Sequence, residues 1–80
     1  MKTITMIHRG GFKRSVEVLK VTEAIIYIHW PIAGTYEVDL FTGKMIGDPE
    51  SPPRRAQKNY LDWEADARDL AAARREASAA

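Results

Sequence analysis

The hydrophobic pattern of this chain changes period once, across a stretch in which Pro49, Pro52 and Pro53 fall within five residues. Prolines so close together cannot take part in a strand ladder or a helix interior, because each removes a backbone donor and fixes φ. Before them apolar residues recur every second position, and after them every third or fourth. The chain is therefore read as α+β. An antiparallel β-sheet occupies residues 1–47, a Pro-rich linker 48–53 and one amphipathic helix 54–80, within a single 80-residue domain.

The first part reads as a meander of four to five strands. Ile4 and Met6 share one face, and Arg9-Gly10-Gly11 supplies a turn that accepts positive φ. Phe12, Val16 and Val18 then face one way, with Lys13, Ser15 and Glu17 opposite. Leu19 and Val21 break the phase, which predicts a bulge near Leu19-Lys20. Ala24 to Trp30 is apolar on both faces, as in a central strand covered on two sides. Pro31 ends it. Tyr36, Val38 and Leu40 point inward and Glu37 and Asp39 outward, before a turn at Thr42-Gly43-Lys44 and a short last strand, Met45 to Gly47.

Beyond the prolines, Tyr60, Trp63, Ala67, Leu70 and Ala71 fall on one helical stripe, with Asp62, Glu64, Asp66, Arg68 and Asp69 around it. Lys58/Asp62 and Glu64/Arg68 are (i, i+4) pairs. Ser51 or Asn59 is the expected N-cap. A sheet with one apolar face needs a lid, and this stripe is the lid the chain offers. In the competing arrangement the strands close into an SH3-like barrel and the helix projects, leaving its stripe for a partner.

The chemistry-bearing residues are few. With no cysteine there is neither a disulfide framework nor a thiolate metal site. His8 and His29 lack the spacing of metal ligands, so no metal or other cofactor is expected. Ser15, Ser51 and Ser78 occupy no nucleophile elbow, and Gly10-Gly11 leads into a strand, whereas phosphate loops open a helix. Glu37 and Asp39 share a solvated face. The sequence therefore predicts a binding module and no enzyme. No apolar run reaches the roughly 18–20 residues of a membrane span, and Met1 to Thr5 alternates in a way a signal peptide does not. A cytoplasmic protein is expected.

Two partner classes remain, with a protein partner the leading expectation and a small SH3- or OB-like nucleic-acid binder the alternative. Residues 1–47 hold six Lys/Arg against four acids, and residues 48–80 six against seven. A protein partner would meet the acidic helix ridge of Asp62, Asp66 and Asp69, the outward pair Glu37 and Asp39, or an unpaired strand edge, which also suits a homodimer. A nucleic-acid partner would use Arg9, Lys13, Arg14 and Tyr27, with Phe12, His29 and Trp30 nearby and Arg54, Arg55 and Lys58 at the linker.

The length, the absence of cysteine, the turns Arg9-Gly10-Gly11 and Thr42-Gly43-Lys44, and the Ala/Arg-rich stretch from Leu70 to Arg75 give the whole chain a general layout. In that layout it resembles the small accessory proteins of bacteriophages and mobile elements, including anti-CRISPR proteins. The resemblance implies steric inhibition of a host defence or nucleic-acid-processing complex in the host cytoplasm. It carries no residue roles. Because the net charge is only +1, it implies a shape-complementary contact and not the strongly acidic mimicry of DNA.

Overall fold

A computed structural model describes residues 2–30, 34–47 and 62–79. Among these, six strands form one antiparallel sheet: β1 (Thr3–His8), β2 (Lys13–Val21), β3 (Ile25–Trp30), β4 (Gly34–Asp39), β5 (Met45–Gly47) and β6 (Trp63–Ala65). One helix, α1 (Ala67–Ala79), follows. The sheet order is β5-β4-β3-β2-β1-β6, a meander whose last strand returns to the first. The sheet curls so far that its two ends meet. Lys44 bridges to Glu64, and the Ala65 N–H donates to the Gly43 carbonyl at 2.8 Å. The result is a nearly closed barrel with six strands where four to five were expected.

Alternation builds the interior. Ile4, Met6, Val16, Ile26, Ile28, Tyr36, Val38, Leu40 and Met45 are buried, each of the larger ones contributing about 1.5–3 kcal/mol by leaving water. The phase break in β2 is a register shift between Val18 and Lys20, which turns Leu19 out to solvent. Strand β3 departs from expectation. Ile26 and Ile28 are buried, but Ile25 and Tyr27 are half-buried and His29 is exposed. A curled sheet has one interior, and the helix goes to an end of the barrel, so among the described residues the outer face has cross-strand cover alone.

The extra strand and the shorter helix share one cause. Trp63-Glu64-Ala65 pairs with His8, Ile7 and Met6 of β1, where the sequence expectation had these residues helical. Ala and Glu favour helix locally. The unpaired edge of β1 offers a ladder and a place in the interior for Ala65, and that outweighs the local preference. Asp66 then caps α1. Its Oδ2 accepts from the N–H groups of Arg68 at 3.2 Å and Asp69 at 3.4 Å, an N-cap arrangement reinforced by the acid at the third helical position. The expected linker 48–53, the caps Ser51 and Asn59, and Lys58 and Tyr60 lie outside the described residues, as does Pro31.

Helix α1 closes one end of the barrel, beside the turns Thr22–Ala24 and Leu40–Gly43. Leu70 and Ala73 are buried there, Ala77 packs against the core, and the Arg74 guanidinium donates to the carbonyls of Leu40 at 3.3 Å and Phe41 at 3.4 Å. Gly43, at φ +76°, leaves room for this. A Cβ there would come within 3.2 Å of Leu70 Cδ2 and 3.3 Å of the Ala65 carbonyl oxygen. The two arrangements weighed from the sequence are thus combined: the strands curl into a barrel, and the helix docks on it. No helix among the described residues is long and apolar enough to cross a membrane.

Candidate binding site at the aromatic end of the barrel

The five acids expected to contact a protein lie at the start of β6, at the first turn of α1 and on β4. Asp62 precedes β6 and pairs with Arg9 (Nη1 to Oδ1, 3.1 Å). Asp66 is the helix cap. Asp69 Oδ2 accepts the Thr5 N–H at 2.7 Å, while the Asp66 N–H donates to the Thr5 carbonyl at 2.9 Å. With Asp62 outside the helix and the other two turned to backbone donors, the proposed ridge is dismantled. Glu37 pairs across the sheet with Tyr27 and accepts its hydroxyl hydrogen bond. Asp39 Oδ1 accepts the N–H groups of Phe41 at 2.8 Å and Thr42 at 3.0 Å. All five act within the fold.

Those contacts shift two groups. The N–H of Thr42, then that of Phe41, hold the Asp39 carboxyl below its ordinary value, against an upward push from burial. Burial first, then the hydrogen bond and charge of Glu37, push the Tyr27 phenol up. Tyr27 is therefore committed to Glu37 on the outer face of β3 and stands apart from Arg9, Lys13 and Arg14.

The other three belong to the β1–β2 hairpin, at the end of the barrel away from α1. Here the inward positions of the strands bring together His8, Arg14, Trp30, Tyr36 and Trp63. Trp30 meets Trp63 edge-on (centroids 5.2 Å, 72°) and Tyr36 edge-on (6.5 Å, 88°). His8 meets Trp63 edge-on (5.0 Å, 72°), and Phe12 leans on His8 (5.2 Å, 37°). The Arg14 guanidinium lies over both indoles, 5.5 Å from the Trp30 ring centroid and 5.8 Å from that of Trp63, a cation–π arrangement that suits its weakly hydrated charge.

The hairpin is built to hold this. The His8 N–H donates to the Phe12 carbonyl at 2.7 Å, and the Gly11 N–H to that of His8 at 2.8 Å. The Gly10 N–H donates to His8 Nδ1 at 2.9 Å, so Nδ1 is an acceptor and the ring hydrogen sits on Nε2, 3.8 Å from Asp62 Oδ2. A Cβ on Gly10 would lie 3.1 Å from His8 Nδ1 and 3.5 Å from Phe12 Cε2. Gly11, at φ +97°, makes the turn.

Three cations (Arg9, Lys13 and Arg14) share this hairpin. Arg9 is paired with Asp62. Arg14 has no carboxylate partner among the described residues and is exposed; Lys13 is exposed on the opposite side of β2. Shallow space beside the hairpin is bounded by Ile7, His8, Arg9, Trp63 and Lys44. Sequence reasoning singled out Arg14 for charge but missed its inward position, although it shares the phase of Val16 and Val18. It also missed His8, in phase with Ile4 and Met6, and placed Trp63 on the helix lid.

Chemically, the arrangement offers positive charge beside aromatic surface. Among the described residues no polar or charged side chain is fully buried, and no group of three His, Asp or Glu side chains is placed to hold a metal ion. No protein-family model, curated protein or solved structure matches the chain.

Proposed function

We propose that the chain is a non-enzymatic binding module that takes a nucleic acid at the aromatic end of its barrel, away from α1. The observation that carries this reading is Arg14, a guanidinium set against two indoles with no carboxylate partner among the described residues, on the hairpin that also bears Arg9 and Lys13. A partner rich in both negative charge and planar groups satisfies that surface. The meander with its last strand back on the first also supports an SH3-like reading of the barrel.

Titration of a fluorescent oligonucleotide, followed also by tryptophan emission, tests it. Binding is expected at low salt, with log K falling against log salt by roughly 0.7 per phosphate neutralised on a single strand. Arg14→Gln should weaken it. No binding at low salt, or binding indifferent to Arg14→Gln, overturns the reading.

A protein partner is the second reading, including the phage-type inhibitor of a host complex. Its support has moved from the acids to the apolar surface of the β4–β5 hairpin, where Phe41 is 65% and Ile46 50% exposed. Capture of a partner that is lost in a Phe41→Ser, Ile46→Ser double variant would sustain it, and unchanged capture would remove that surface. A second copy as the occupant would raise the mass seen by light scattering.

A further inference from the structure

We infer that the nucleic acid is single-stranded and that Phe12 is the platform on which one of its bases stacks, an inference that rests on the function proposed above. Base faces are available to a side chain only where the strand is unstacked. Of the groups at the aromatic end, the two indoles meet each other edge-on and carry the Arg14 guanidinium. Tyr36 is buried. Phe12 is 65% exposed, the outermost member of a chain of rings running through His8 to Trp63 and Trp30.

Exposure of one apolar residue is ordinary; the way this one is held is specific. Two backbone hydrogen bonds close the turn around it, the Gly10 N–H fixes the imidazole beneath it, and Gly10 has no Cβ to separate the two rings. A ring that already rests on an imidazole loses less rotamer freedom when a base settles on it than one free on all sides. The next residues along the chain, Lys13 and Arg14, are cations on opposite sides of β2. A strand stacked on Phe12 thus has a charge on either flank for its phosphates. Against the three cations of the hairpin, Asp62 is the one acid bonded to it among the described residues.

The probes are a fluorescein-labelled dT12 strand, the same strand with abasic residues throughout, and a duplex of equal length, each titrated at low salt. We expect dT12 to bind most tightly. Phe12→Ala should weaken it roughly tenfold, within the range for loss of one base–aromatic stack, and Phe12→Trp should restore it. The abasic strand should bind weakly and ignore Phe12→Ala. Unchanged near-ultraviolet circular dichroism from the indoles verifies the fold of Phe12→Ala, and an unchanged urea midpoint verifies that of Phe12→Trp, which adds an indole of its own. If all three probes bind alike and respond to Arg14→Gln but not to Phe12→Ala, the stacking inference fails while the nucleic-acid reading stands. If none binds, both fall.

Discussion

The two ends of the barrel are finished in opposite ways. At one, α1 inserts Leu70 and Ala73, small and apolar, and Arg74 caps the carbonyls of the β4–β5 turn. At the other, the described residues supply no covering element. The interior ends in indoles and an imidazole, with a guanidinium laid over them. The contrast separates two tasks. The helix end is made of groups whose loss leaves a cavity or an unpaired backbone group. The aromatic end consists of large rings and cations that tolerate partial hydration and meet another molecule at little cost. Substitutions at the first should lower stability, and at the second should alter binding more than folding.

The largest expected effect tests the closed end. Leu70→Ala removes a buried side chain between Gly43 and the core and should cost about 2–4 kcal/mol, read as a lower midpoint in urea denaturation with little change in m. An equal loss from Phe12→Ala would erase the contrast. Next comes Asp69→Ala, which strips the Thr5 N–H of its acceptor. A cost of about 1–3 kcal/mol is expected, and Asp69→Asn, whose amide oxygen still accepts, should recover part of it.

A third test uses pH. Because the folded-state carboxyl of Asp39 is held below its ordinary value, it contributes stability that is fully present above about pH 4 and is lost as pH falls through the lowered folded value. Asp39→Ala should flatten that part of the acid denaturation curve. An unchanged curve would show that the turn does not depend on the charge. The smallest effect belongs to the aromatic end. Phe12→Ala should shift stability by no more than about 0.5 kcal/mol, as for a surface position, while changing oligonucleotide affinity. A larger loss of stability would make Phe12 part of the fold's closure.

Much of the barrel was legible from two-residue alternation. Ile4/Met6 and Tyr36/Val38/Leu40 mark their inner faces without ambiguity, and the slip at Leu19 announced the bulge. The sixth strand was not legible, for a physical reason. Trp63-Glu64-Ala65 is too short to display a period, its residues suit a helix, and what makes it a strand is an edge dozens of residues earlier. The helix start had a local signal, Asp66 followed by Asp69 ahead of Leu70, but the two acids were read as surface charge. At the site, the cations of the hairpin were visible in sequence. The cation–π contact of Arg14 was not, because Trp30 and Trp63 meet only when the barrel closes.

That closure also orders events in time. The donor and acceptor of Thr5 are satisfied by Asp69 and Asp66, across a separation of 64 residues for the longer of the two bonds. Synthesis runs from the N-terminus, so β1 to β5 can zip as successive hairpins while β1 still has a bare edge. The seam forms only after a long loop is closed, an entropic toll that slows folding. During that interval Met6 and the indole of Trp30 lack their final neighbours. The segment from Trp63 to Leu70 therefore acts as the latch of β1, and until it has been made the sheet keeps an open, adhesive edge.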